Sequence, residues 1–315
     1  MARSSFLFSA IMEALLSAVC VQAHGIASAL VVSSTFYDGY NPSYQWKSPP
    51  PTVVGWSTPD DLQNTFIAPN QFNTADMVCH LGAKPAEAAV PVKGGDVIEV
   101  QWTPWPASHK GPVIDYLANC NGPCETVDKT QLKFFKIAES GWVDQASDLW
   151  AANVLANNNN SWLVRLPTDI AAGNYVLRHE IIALHAAGNA NGAQSYPFCF
   201  NLAIDSDGGT EKPAGISATE FYKAADPGIK FDLFSHPTQY IIPGPPLYSG
   251  AFSVSQTMPG KITATATGIY AYTAPPKARA ASTTAGTVPT TLVVAAKASS
   301  PAMPKATDVD ADPPT

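Results

Sequence analysis

The chain has 315 residues, of which 14% are charged, 46% are hydrophobic and 28 are proline. Its formal charge of −7 comes from 25 acidic and 18 basic residues with no basic run, which excludes a nucleic-acid binder built on Lys/Arg clusters. Aromatic residues at 10% exclude a wholly disordered chain, and the charged fraction lies well under the roughly 25% of an average soluble domain.

Residues 1–23 open with Arg3, continue as an apolar run and end in Val21-Gln22-Ala23, the small-x-small pattern of a secretory signal cleaved after Ala23. The run is too short for a membrane span. Cleavage removes Cys20 and leaves four cysteines in a secreted, oxidising setting. It also makes His24 the first residue of the mature chain. A terminal amine titrates near 8 and an imidazole near 6.5, so this one residue can offer a metal two nitrogens.

β-rich runs then recur at 29–33, 96–102, 132–137, 161–166, 173–184 and 198–204, several alternating as in Val97-Ile98-Glu99-Val100-Gln101-Trp102. Gly, Pro, Asn and Asp clusters separate them. Segments 76–80 and 144–152 are expected to form short helical turns. The stretch 37–75, rich in Pro, Tyr, Asn and Trp without a period, reads as a long surface loop. These elements predict one antiparallel, immunoglobulin/fibronectin-like β-sandwich over 24–250. Residues 251–315 turn to Ala, Thr, Pro and Ser, the composition of a disordered and O-glycosylated tail with no lipid anchor.

Four cysteines allow three pairings. Cys120 and Cys124 share a turn-rich segment, so a local bridge between them is the simplest choice and leaves Cys79 with Cys199. Zinc is the competing use, but no C-x-x-C pair is present. Asn159-Asn160-Ser161 is an N-glycosylation sequon, placing a glycan on Asn159.

His109 sits in the stiff segment Pro104-Trp105-Pro106-Ala107-Ser108-His109-Lys110-Gly111-Pro112, directly after a strand. Arg178-His179-Glu180-Ile181-Ile182-Ala183-Leu184-His185 superficially matches a helical H-E-x-x-H zinc motif, but its histidines are six apart and the run is β-like. On a regular strand that offset puts His179 and His185 on one face, where core histidines are the plain reading. Gln194 and Tyr196 share a strand face by the same rule. His80 and His236 have no partner pattern and are assigned to surface or structure.

Taken in order, His24-Gly25, His109-Lys110-Gly111-Pro112, the run from Arg178 to His185, Gln194-x-Tyr196-Pro197-x-Cys199 and Tyr240-Ile-Ile-Pro-Gly-Pro-Pro-Leu-Tyr248 resemble the fungal lytic polysaccharide monooxygenases of auxiliary activity family 9. The resemblance spans about 24–250. It implies a secreted enzyme holding one copper ion in a histidine brace on a flat face, with His24 giving amine and imidazole and His109 the third nitrogen. Tyr196 matches the axial tyrosine, and His185 and Gln194 match the groups that orient reactants and handle protons beside the metal. Tyr240 and, more weakly, Tyr44 are the candidates for stacking on sugar rings. The resemblance implies the same cysteine pairing, and oxidative cleavage of cellulose or a related β-glucan at C1 or C4. The partners are an external electron donor and O2 or H2O2, with no nucleic acid or membrane, and the chain is expected to be a monomer. The alternatives from other classes are a non-catalytic carbohydrate-binding sandwich that retains the scaffold, and a copper-handling protein without polysaccharide turnover.

Overall fold

Alternating apolar positions become two facing sheets. The structure, a computed structural model, describes residues 24–256 and 266–268. One five-stranded sheet has the order β12 (Ala266–Thr267), β2 (Thr35–Asp38), β1 (Ala27–Val32), β4 (Val97–Trp102), β9 (Ser161–Arg165). The other runs β3 (Val90–Lys93), β11 (Gln194–Asp205), β10 (Gly173–Ala183), β5 (Val113–Asn119), β6 (Phe134–Ser140). Neighbours are antiparallel except β12 beside β2 and β3 beside β11. Leu30, Ile98, Val100, Trp102 and Val164 of the first sheet meet Leu117, Ile137, Leu177, Ile181, Tyr196 and Phe200 of the second in one core. The β-sandwich expected from the sequence is the fold.

The second sheet is covered on its outer side as well. Ile114, Tyr116, Val176 and Ile182 pack there against Trp56, Phe72, Met77, Val78, Phe221 and Tyr222. With both faces covered, β10 and β11 are buried along most of their length and show no clean apolar/polar alternation. The stretch 37–75 is therefore more than a surface loop. Its first residues finish β2, Val54, Trp56 and Ile67 are buried, and the segment supplies partners to β11. The Trp56 amide donates to the Cys199 carbonyl at 2.9 Å, the Asn201 amide donates to Val54 at 3.0 Å, and Ile67 and Ser195 exchange two backbone bonds. β3 pairs only with Leu202–Asp205, so the remaining edge of β11 must find donors and acceptors elsewhere.

A further expectation shifts. The 76–80 turn appears as α1 (Asp76–Cys79), but 144–152 holds the small hairpin β7 (Trp142–Asp144) and β8 (Leu149–Trp150), and its helix begins only at α2 (Ala151–Asn157). Asp144 accepts from the Ala146 amide and the Ser147 hydroxyl, which favours a turn over a helix there. Ala151, Ala152 and Leu155 then give α2 its buried stripe. Residues past the boundary expected at 250 also touch the first sheet. The Gln256 side-chain amide bonds both the amide and the carbonyl of Leu163, and Ala266–Thr267 pairs with Thr35–Phe36. The signal at 1–23 and the remainder of the tail lie outside the described residues.

Both cysteine pairs are bonded, Cys79 to Cys199 and Cys120 to Cys124. Asn159 of the sequon is exposed, with a φ of 55° in the turn after α2.

Candidate metal centre

His109 lies in a loop fastened from several sides. Asn153 Nδ2 donates to the Ala107 carbonyl at 2.9 Å, and the Trp105 amide donates to Asn160 Oδ1 at 2.7 Å. Lys110 is ion-paired with Asp148, which also accepts from Trp150 Nε1 at 2.9 Å. The loop then closes on the end of β10, where the Leu184 amide donates to the Lys110 carbonyl at 2.8 Å. Gly111 permits this approach, since a Cβ there would stand 1.9 Å from the Ile182 carbonyl oxygen.

The rings of His24 and His109 meet edge-on at 5.3 Å between centroids. Tyr196 stacks on His24 at 5.6 Å and stands 5.0 Å from Trp105, and His185 lies 4.0 Å from His109. The Tyr196 hydroxyl donates to Gln194 Oε1 at 2.7 Å. The five residues expected around a metal are thus brought together from the start of β1, the loop after β4, the loop after β10 and the start of β11.

Burial pulls the His109 imidazole down to about 4, with the charges of His185 and His24 acting in the same direction. Burial also lowers His24 and His185. Tyr196 moves the opposite way, well above the usual phenol value, because it is buried and because the Asp61 carboxylate opposes a second negative charge. At neutral pH the cluster therefore presents unprotonated imidazoles beside a neutral phenol. His109 Nε2 is buried with no hydrogen-bond partner, while its Nδ1 lies 3.2 Å from Ser108 Oγ. His185 Nδ1 is likewise buried and unpartnered. A buried nitrogen left open is costly unless something fills it, so the donor set suits a nitrogen-seeking cation.

The family model of Auxiliary Activity family 9 (formerly GH61) matches residues 24–240, beginning at His24 itself. The chain belongs to that family. Its members are secreted fungal polysaccharide monooxygenases, copper-dependent oxidoreductases, and this family 9 chain is accordingly a polysaccharide monooxygenase. It is 59% identical over 267 residues to AA9 family lytic polysaccharide monooxygenase I of Botryotinia fuckeliana, covering 84% of this chain and 99% of the relative. Among solved structures, the extended catalytic domain of H. jecorina LPMO9A is 47% identical with a TM-score of 0.75, covering 79% of this chain and all of that one. A cellulose-active polysaccharide monooxygenase from M. thermophila is 28% identical with a TM-score of 0.62, covering 72% of this chain and all of its own.

Other expected residues stand differently. His179 is not a face-mate of His185, because β10 ends at Ala183. It is a core histidine, with Nδ1 2.6 Å from Asp115 Oδ1 and Nε2 accepting from Trp102 Nε1 at 2.9 Å. His80 is wholly buried against Phe198. Tyr240 is half-buried instead of open on the surface. Its ring meets Trp150 and Phe231, each at 4.9 Å, and its hydroxyl donates to the Gly228 carbonyl at 2.8 Å. Tyr44 is half-buried on a 3-10 turn, donating to Asp38 Oδ2 at 2.7 Å with Lys47 over its ring.

Two residues of the site escaped the sequence reading. Phe66 lies 6.1 Å from both His24 and Tyr196. Trp105 packs edge-on to His109 at 5.7 Å and donates from Nε1 to its carbonyl, fixing that backbone. Phe66 comes from a stretch without a period, so no local signal marks it. Phe234 is 76% exposed.

Proposed function

We propose that the mature protein is a secreted copper enzyme that cleaves cellulose or a related β-glucan oxidatively, with an external electron donor and O2 or H2O2. The observation that carries this reading is the meeting of the His24 and His109 rings beneath Tyr196, in a family match that begins at His24. Among the described residues no three His, Cys, Asp or Glu side chains form a ligating group. A third nitrogen is available from the main chain, since cleavage after Ala23 turns the His24 nitrogen from a peptide amide into a free amine. His24 would hold copper through amine and imidazole and His109 through Nε2, with the Tyr196 ring beside His24. When bound, copper supplies one-electron redox chemistry and open positions for the oxidant.

The chain's own groups do the rest. The hydrogen bond from Tyr196 to Gln194 aims the phenol, which burial and Asp61 keep protonated. His185, neutral by burial, can take or give a proton at Nδ1 beside the metal. Phe66 and Trp105 exclude water from one side. For substrate, Tyr44, the open part of Tyr240 and the exposed Phe234 ring are the proposed sugar contacts, and the cellulose-active relative supports that polymer class.

The test begins with N-terminal sequencing of secreted protein, which should start at His24. That protein should bind one copper and, with ascorbate and cellulose, release oxidised cello-oligosaccharides. His109→Ala should lose tight copper binding and product together, and full product release by this variant would refute the ligand assignment. Calorimetry in buffers of different ionisation enthalpy should show about one proton released at pH 7, from the terminal amine of pKa near 8, since His109 is already neutral there.

A further inference from the structure

Behind the site, on the outer side of the second sheet, lies a buried polar cluster. Glu180 is fully buried, yet its carboxylate is well supplied with donors. Oε2 accepts from Arg178 Nη1 and from the Tyr222 hydroxyl, both at 2.6 Å, and Oε1 accepts from the Ser195 hydroxyl. Arg178 is anchored in turn, donating from Nε to the Val78 carbonyl and from Nη2 to the Met77 carbonyl, each at 2.9 Å. Tyr116 and Tyr222 join their hydroxyls at 2.7 Å. A carboxylate this deep costs several kcal/mol to desolvate, and apolar packing would suffice for stability alone.

What sets the cluster apart is where Ser195 stands. It lies between Gln194 and Tyr196 on β11, and strand alternation sends its side chain outward to Glu180 while theirs point inward to the site. Ser195 also exchanges two backbone bonds with Ile67, 2.9 and 3.1 Å long. The neighbour of Ile67 is Phe66, whose ring faces His24 and Tyr196. One residue therefore fixes the two sides of the histidine cluster, and Glu180 holds that residue by its side chain.

We propose that Glu180 is a positioning residue which, through Ser195, sets the placement of Gln194, Tyr196 and Phe66 around His24. The proposal rests on the reading of His24 and His109 as the copper site. It draws on a general rule, that reacting groups are held to within fractions of an ångström by residues whose own rotamers are locked. Ser195→Ala cuts the link and leaves the carboxylate with two of its donors.

The experiment compares mature wild type, Ser195→Ala, and the double variant Cys120→Ser/Cys124→Ser, which loosens a bridge far along the chain from these groups. Both variants should unfold at lower temperature than wild type. In the copper-free protein, the Tyr196 and His24 side-chain NMR resonances should move in Ser195→Ala and stay put in the disulfide variant. Loaded with copper(II), Ser195→Ala should bind within about threefold of wild type but show an altered electron paramagnetic resonance spectrum and at least a tenfold lower turnover. Unchanged resonances and spectrum in Ser195→Ala would overturn the proposal, as would equal changes in both variants, because these would mark a purely structural role. If the wild type binds no copper, the reading of the metal centre fails, and the copper-free resonances still judge the positioning role.

Discussion

The imidazole of His80 is wholly buried, and burial together with the nearby Arg178 charge lowers its pKa to about 3. Asp61, buried 3.8 Å from it, is raised by burial to about 6, against an opposing bond from the Thr65 amide. The signs are opposite. As pH falls below 6.5 the unfolded chain protonates its histidine and the folded chain does not, so stability drops by about 1.4 kcal/mol per unit until about pH 3. Between about 6 and 3.8 the folded chain takes a proton on Asp61 that the unfolded one does not, which restores stability over that window. The pair therefore holds stability nearly level from pH 6 to 4. Asp61→Asn should remove the restoring half, so that its urea midpoint falls more steeply than wild type between pH 6 and 4. His80→Gln should show a flat or rising profile there, and three parallel profiles would contradict this account. The sequence marked neither residue, because their roles come from burial and from each other across 19 positions of chain.

Among the elements, α1 is held to the second sheet twice, to β11 by the Cys79–Cys199 bridge and to β10 by Arg178 at its terminal carbonyls. The bridge spans a sequence separation of 120, and chain-entropy arithmetic puts the cost of its loss at about 5 kcal/mol. Cys120–Cys124 closes a separation of only 4, for which the same arithmetic gives about 2 kcal/mol. Serine replacement of each pair should reproduce that order in denaturant midpoints, and a larger loss from Cys120→Ser/Cys124→Ser would show that strain or residual structure outweighs loop length. The six strands expected from alternation are all present, with ends moved by a few residues. β2, β3, β5, β7, β8 and β12 were not foreseen. β5 is buried on both faces, so it shows no period, and the others are only two to four residues long.

At the scale of the molecule, residues beyond 250 cover both edges of the first sheet. Gln256 occupies the free backbone groups of Leu163 on β9, and β12 pairs with β2 at the opposite edge, where the Gly268 amide donates to the Phe36 carbonyl at 2.7 Å. Exposed edges invite pairing with other chains. A chain ending at Gly250 should therefore lose about 1–3 kcal/mol, seen as a lower calorimetric transition, and aggregate sooner on heating. One ending at Gly268 should match the full chain, and identical transitions for both truncations would show that the strap adds nothing.

The four cysteines left three pairings open, and the fold joins Cys79 to Cys199 and Cys120 to Cys124. Sequence alone was enough for the β-sandwich class and for picking out His24, His109, His185, Gln194 and Tyr196 as candidates, the latter through motifs in a fixed order. Those properties are carried by neighbours along the chain or by short spaced patterns. The packing of Tyr240 against Trp150, the placing of Phe66 beside His24, and the hold of Glu180 on Ser195 required the folded molecule. Each depends on side chains that stand far apart in sequence and meet only once both sheets and their covering loops are in place.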